Sequence, residues 1–384
     1  MDHDHAHAHD HVHAHAHDHV PVLNVARPLS VREIEQRFST RLHLLREGCH
    51  RYGNSTPSLW HFHGFHPVLA YPPVQNVSVG FCGIEKTASS TWKGVFYAMR
   101  RRMEKLGVKG QERGDEMSKD VPFFFVREPY SRLLSAYVDK FLTPNTYFFR
   151  YGRHIVQSFR RNPSERSLRC GHDTTFLEFV KHFIQSQRTG KWKEGHIYPS
   201  HEHCAVCRIP YKYVGHLDTI SEDMPYILNR IQYPLNITKR LENETLADNI
   251  RLVWNAMESL FAGCLTKEEA FRRLWKKWQI RGVLSKLRAF PLTEEEAANM
   301  SRTDWLRVAA SAYALSGGKR ERAFQKTEAL REAYASVPLE DRLRVRDLLF
   351  LDFQLFGFPS SPDEVFPEQP YRPDPTFSYF ALWD

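Results

Sequence analysis

The sequence predicts an α/β protein in three layers, with helices on both sides of a parallel sheet. Three observations predict it. Between residues 76 and 235, apolar runs of strand length alternate with segments of helical spacing, the pattern of repeated βαβ units. One run, Val121 to Val126, reads VPFFFV and is apolar throughout, which suits a strand covered on both faces. Of the 384 residues 42% are hydrophobic and 26% charged, enough for a sizeable core and too apolar for wholesale disorder.

Along the chain, residues 1–20 come first, with nine histidines at every odd position from His3 to His19. Such a tract binds Zn²⁺ or Ni²⁺ loosely and without fixed geometry, so 1–27 is expected to be a disordered His-rich tail. Residues 28–47 space Leu29, Ile34, Phe38, Leu42 and Leu45 as one face of a helix, and 48–75 read as loop. The span 76–243 is the expected core. Val77, Val79 and Phe81 alternate in a strand from Asn76 to Cys82, and Ser89 to Leu106 is helical, with Trp92, Val95, Phe96, Met99 and Met103 on one face. After the VPFFFV strand, Pro129 opens a helix at a tolerated first-turn position. Thr174 to Ile184 is a further helix and Tyr211 to Val214 a third strand. Residues 244–331 read as a helical insertion. The span 332–384 supplies a final helix, Leu343 to Phe356, and a Pro-rich tail.

Two turns carry the chemistry. After the first strand comes Glu85-Lys86-Thr87-Ala88-Ser89-Ser90-Thr91-Trp92, where a small-residue turn opens a helix. The unbonded N–H groups of such a start, with the helix dipole, form an anion cradle. Lys86 adds a full charge, and Ser89, Ser90 and Thr91 add hydroxyls. The glycines of a nucleotide triphosphatase loop are missing, which disfavours a kinase or NTPase of that type. After the second strand comes Arg127-Glu128-Pro129-Tyr130-Ser131. Arg127 ends a buried strand, at the sheet edge where ligands of open α/β sheets bind. Ser131 and Ser135 are four residues apart on one helix face, and a guanidinium with two hydroxyls suits a terminal phosphate. An alternative pairs Arg127 with Glu128 or Asp139 as a purely structural contact.

Together these stretches resemble the Golgi carbohydrate sulfotransferases that include the HNK-1 and the chondroitin and dermatan 4-O-sulfotransferases. EKTASSTWK is similar to that family's first loop, and FVREPYSRLLSA matches its second almost position for position. His196, eight residues before the Cys204-x-x-Cys207 pair, and YVGHLDT after it follow the same pattern, as does Asp352-Phe353-Gln354-Leu355-Phe356-Gly357-Phe358. Glu85 departs from the family's proline and puts a carboxylate near the loop. The resemblance implies a P-loop-like sulfotransferase fold and 3′-phosphoadenylyl sulfate (PAPS) as donor. Lys86 and the backbone of Thr87, Ala88, Ser89, Ser90, Thr91 and Trp92 would hold the 5′-phosphosulfate. Arg127 and Ser135 would hold the 3′-phosphate.

The expected reaction moves a sulfuryl group to a glycan hydroxyl, on a glycosaminoglycan or an N-glycan terminus. Lys86 would stabilise the leaving phosphate and His196 act as general base; His154 and Glu178 are the other candidates. No metal is expected, because a sulfuryl group carries less charge than a phosphoryl group. The runner-up reading is a catalytically weak relative that only binds acidic glycans.

Compartment and partners follow from the rest. Six cysteines and sequons at Asn54, Asn76, Asn236, Asn243 and Asn299 point to a secretory lumen. The family resemblance implies a type II anchor in the Golgi membrane, which this sequence does not display: the apolar stretch Leu348 to Phe358 is far short of the ~20 residues a bilayer needs. His201, His203, Cys204 and Cys207 have metal-ligand types without the usual second ligand pair, and oxidised thiols are the preferred reading. A bond within Cys204-x-x-Cys207 and cross-pairing with Cys170 or another cysteine both stay open. A net charge of +8 favours anionic partners. The basic faces at Arg100–Arg102, Arg160–Arg161 and Arg272–Lys277 suit a sulfated glycan or plain solvent. No nucleic-acid motif is present.

Overall fold

The computed structural model describes residues 29–53, 69–74, 77–105, 121–231, 254 and 263–382. The His-rich tract and the sequons at Asn54, Asn76, Asn236 and Asn243 lie outside the described residues. Asn299 is exposed.

Helix α1 (Val31–Tyr52) starts at a capping box in which Ser30 and Glu33 satisfy each other's backbone N–H. It runs five residues past the expected end. Among the described residues four strands form one sheet in the order β1 (Leu69–Val74), β2 (Val77–Cys82), β3 (Val121–Val126), β4 (Tyr213–His216). The sheet is mixed rather than wholly parallel: β2, β3 and β4 are parallel, whereas β1 pairs antiparallel with β2. The span 48–75, rich in Pro, Gly and His, reads as loop, yet β1 lies inside it and contains Pro72 and Pro73. Proline is tolerated at an edge, where one side of the strand needs no N–H donor, and β1 is an edge strand.

Strand alternation sorts the core into two faces. Val79, Phe81, Phe123 and Phe125 meet Trp92, Val95 and Phe96 of α2 (Ser89–Lys105) and Ile227 and Leu228 from the helix after β4. Cys82, Phe124, Val126 and Val214 face the other way, onto Cys204, Tyr211, Leu355 and Phe356. The sheet is therefore covered on both sides. Gly215 of β4 packs against the Phe125 ring, and a Cβ there would come within 2.3 Å of it.

Between β3 and β4 lie α3 (Pro129–Tyr137), a π-helical turn (Val138–Leu142), α4 (Thr146–Phe159), α5 (Glu165–Cys170) and α6 (Phe176–Thr189). After β4 come α7 (Ile220–Arg230), α8 (Lys267–Ile280), α9 (Glu294–Asn299), α10 (Arg302–Ala314) and α11 (Gln325–Ala335), then α12 (Leu339–Leu348) and α13 (Phe350–Phe356). The expected single helix at 343–356 is thus two. The described part of 244–335 is helical but broken by turns at 281–293 and 315–324. Helices α3, α4, α6, α11, α12 and α13 share a large aromatic cluster around Tyr130, Phe179, Tyr334 and Phe353.

Three disulfides tie distant segments: Cys49–Cys207, Cys82–Cys204 and Cys170–Cys264. The C-x-x-C pair does not close on itself. Its two cysteines bind the end of α1 and the end of β2 to one loop, and with both sulfurs oxidised neither is a thiolate ligand for zinc. Closing loops of 94 to 158 residues removes chain entropy worth ~4–5 kcal/mol per bond in the unfolded state. Helix α1 is also held by Asp223, fully buried, which accepts from Arg37 at 2.6 Å and Arg41 at 2.7 Å.

Candidate active site

The first turn is built from strained backbone. Lys86 and Ala88 both take the left-handed conformation, with φ of 69° and 66°, which non-glycine residues adopt at a cost. Successive residues alternating through that region turn their N–H groups toward one concavity, an anion nest. Thr87 is fully buried and its hydroxyl donates to the Ile84 carbonyl at 2.8 Å, so only its backbone is left for a ligand. Trp92 is likewise a core side chain. Ser89 is nearly buried, Thr91 half-buried and Ser90 exposed.

The second turn lies on the neighbouring strand. Register pairs Cys82 with Phe124, so β2 and β3 end side by side and deliver Lys86 and Arg127 to the same sheet edge. Glu128 caps α3, accepting from Tyr130 N at 2.9 Å and Ser131 N at 2.7 Å. Arg127 Nε donates to Ser131 Oγ at 3.0 Å. Ser131 therefore carries the contact with Arg127, and Ser135 sits one turn further along α3. Burial, with Arg281 and Arg132 near and Glu128 opposing them, brings the Arg127 guanidinium down to about 10.

Around Lys86 the structure gathers residues that local sequence does not assign to it, among them Asp139 and Lys277. Its ammonium contacts Asp139 of the π-turn. The same carboxylate accepts from Lys277 at 2.9 Å and from Arg281 at 2.6 Å. Burial, compounded by Arg281, Lys277, Lys140 and Arg127, pushes the Lys86 ammonium well below the ordinary lysine value. Burial first, then Arg281 and Lys140, does the same to Lys277. Lys326 stands at the rim within the field of Arg127 and Arg281. Cations thus outnumber the carboxylates Asp139 and Glu128, and a low-dielectric site with that surplus suits a polyanion.

A second group adjoins it. His196 Nδ1 lies 2.8 Å from both oxygens of Glu194. The carboxylate can only accept, so Nδ1 carries the proton and Nε2 presents its lone pair. Burial lowers the His196 imidazole below 6.5, with Glu194 opposing, which keeps it neutral near pH 7. His196 packs edge-on to Phe148 at 5.8 Å, and Lys140 lies over the same ring at 5.1 Å, so this dyad borders the cationic centre. Arg132, buried in α3, joins the parts by donating to Glu85 O at 2.9 Å and Tyr198 O at 2.6 Å. The Glu85 carboxylate lies 3.6 Å from His203.

Other candidates have structural roles. Glu178 closes the capping box of α6 and accepts from Arg160 at 2.7 Å. His154 stacks on Trp192 at 4.2 Å. Arg160 is taken up by Asp173 and Glu178. The expected basic face at 272–277 turns inward: Arg273 donates to His172 O at 2.9 Å and Lys276 to Ser378 O at 2.7 Å. These cations support the fold, and only Lys277 of that run reaches the site. Two signals could have found the missed residues: the Glu-x-His spacing at 194–196 and the i, i+4 pairing of Lys277 with Arg281.

Residues 75–257 match the model of the sulfotransferase family. The chain is 29% identical over 173 residues to carbohydrate sulfotransferase 14 of Danio rerio, covering 41% of this chain and 47% of that protein. It is 27% identical over 225 residues to carbohydrate sulfotransferase 9 of Homo sapiens, covering 53% and 49%. It is 42% identical over 110 residues to carbohydrate sulfotransferase 11 of Rattus norvegicus, covering 28% and 31%. The chain spans about half the length, or less, of these curated relatives. No solved structure gives a significant match. The matched segment contains both strand-end turns, the Glu194–His196 pair and β4, and over it the chain is similar to the carbohydrate sulfotransferases.

Proposed function

We propose that this chain is a PAPS-dependent carbohydrate O-sulfotransferase acting on a glycan hydroxyl in the secretory lumen. The observation that carries the reading is the surplus of cations, from Lys86 to Arg127, at the ends of two adjacent parallel strands. A donor bearing a phosphate at each end of an adenosine supplies the matching charge, about −1.5 to −2 per terminal phosphate. Lys86 and the backbone of residues 87–92 face its 5′ end; Arg127, Ser131 and Ser135 face its 3′ end. The turn at 83–89 reads as the P-loop-like element of a sulfotransferase domain spanning 76–243, with 244–331 inserted and 332–384 completing the core.

In the reaction, His196 Nε2 takes the proton of the acceptor hydroxyl. The acceptor oxygen bonds to sulfur as the bond from sulfur to the 5′-phosphate oxygen breaks, and the leaving phosphate gains negative charge. Lys86 stabilises that charge, so catalysis rests on positioning and electrostatics. Glu194 fixes the imidazole tautomer. The acceptor class is a glycosaminoglycan or an N-glycan terminus. Three disulfides suit an oxidising compartment, and a Golgi membrane anchor is part of this proposal by family likeness. Among the described residues no helix is long and apolar enough to cross a membrane.

The alternative, a donor site spoiled by Glu85, is disfavoured by that carboxylate's position beside His203. The test is transfer of labelled sulfate from PAPS to a glycan panel, with calorimetric titration of adenosine 3′,5′-bisphosphate. Lys86→Ala should abolish turnover while Arg127→Ala mainly weakens nucleotide binding. Absence of both transfer and nucleotide binding in the wild type overturns the proposal.

A further inference from the structure

The match to the family model ends at residue 257, yet two of the cations in the centre come from beyond it. Lys277 lies in the last turn of α8 and Arg281 just after it. Both reach the carboxylate that Lys86 contacts, at 2.9 and 2.6 Å. Their side chains are 8% and 30% exposed, and that of Asp139 19%. Three cations on one carboxylate leave a net positive charge in a place with little water, an arrangement that costs stability unless an anion completes it.

The support behind them is rigid. Gly282 takes the left-handed conformation at φ 64°, and a Cβ there would meet Arg322 O at 2.7 Å. Buried Arg322 donates to Gly282 O at 3.0 Å and to Ser316 O at 3.0 Å. Buried Gln325 donates to Gln279 O and Leu284 O, each at 2.8 Å, and accepts from Lys286 N at 2.9 Å. The turn that carries Arg281 is therefore braced from both sides by side chains of the 315–325 segment. A solvated basic face needs no such bracing.

We propose that Lys277 and Arg281 bind the sulfuryl donor: with Lys86 they form a three-cation cage for the oxyanions at its 5′ end, and the donor takes over contacts that Asp139 makes in the free protein. The inference rests on the reading of the site as a PAPS site. It gives the 244–331 block a part in donor binding, beyond the two turns of the family pattern. Each donor contact is a charge-assisted hydrogen bond, so losing one cation should cost about tenfold or more in affinity.

The experiment is calorimetric titration of the full chain with adenosine 3′,5′-bisphosphate and with adenosine 3′-phosphate, which lacks the 5′ group. Wild-type binding of the bisphosphate is required first; its absence overturns the parent reading and this one with it. Given that binding, Lys277→Met and Arg281→Gln should each weaken the bisphosphate about tenfold, and Lys277→Met should leave adenosine 3′-phosphate nearly unchanged. Asp139→Asn alters one atom and should tighten the bisphosphate by removing the competing carboxylate. Wild-type affinity in folded Lys277→Met and Arg281→Gln proteins overturns the inference, and so does weakened or unchanged binding in Asp139→Asn.

Discussion

Asp352, the first residue of the DFQLFGF stretch, is fully buried. Its carboxylate accepts from Ser200 N at 2.7 Å, His201 N at 2.8 Å and His201 Nδ1 at 2.8 Å. Burial works to raise its pKa, but the His201 contacts and the backbone donors outweigh burial and hold it below 3.8, so the group is ionised under ordinary conditions. Asp352→Ala removes the acceptor and strands three donors in a site closed to water. A buried donor left without a partner costs ~1–3 kcal/mol. Because the three share one carboxylate and relax together, the expected loss is ~3–5 kcal/mol, a large part of a typical folding stability of ~5–15 kcal/mol. Asp352→Asn keeps the shape but offers one acceptor and turns a donor toward the other contacts, so it should recover only part of the loss. Urea denaturation measures it, as a lower midpoint at unchanged slope. A loss below ~1 kcal/mol for alanine, or full stability for asparagine, would refute the account of this clamp. The same clamp holds the loop between His196 and Cys204, so turnover should fall with stability.

Two further predictions concern protons. The acid limb of the pH–rate profile should fall below pH 6.5, because burial lowers the His196 imidazole and the base acts only when neutral. In Glu194→Gln the limb should move lower still, since Glu194 opposes that shift, and the rate should drop about 10–100-fold with the weaker, unfixed base; an unmoved limb means that Glu194 does not act on His196. Stability should also decline in acid. Burial lowers His172 and His182 to about 4 and His216 to about 3, so the unfolded chain takes up protons first as pH falls below 6.5. The loss accumulates down to the folded values and reaches ~3 kcal/mol for each of His172 and His182. His182→Leu should flatten the dependence of the urea midpoint between pH 6.5 and 4.5, and an identical slope would contradict this.

Local signals made most of the elements near the site legible. The VPFFFV strand has the expected bounds, α2 opens at Ser89, and β4 lies two residues from its expected place. Each depends on periodicity, a cap or a turn that a short window contains. The broken helix at 349 was not legible, because Leu343 to Phe356 keeps its apolar spacing through the break. Edge strand β1 was hidden in a span rich in Pro, Gly and His, which argues against strand unless the edge position is known.

Local sequence was enough to mark the pair of turns at the ends of β2 and β3 and the His196 stretch, because backbone conformation and residue type there are set within a dozen positions. The tertiary structure alone decided which cysteines pair, that Asp352 holds the His201 loop, and that Lys277 and Arg281 meet Lys86 across Asp139. Lys277 and Arg281 are 138 and 142 residues from Asp139 in the chain, and no local pattern distinguishes an inward cation from a solvated one. Only packing, which withdraws water and counts the charges left behind, makes that distinction.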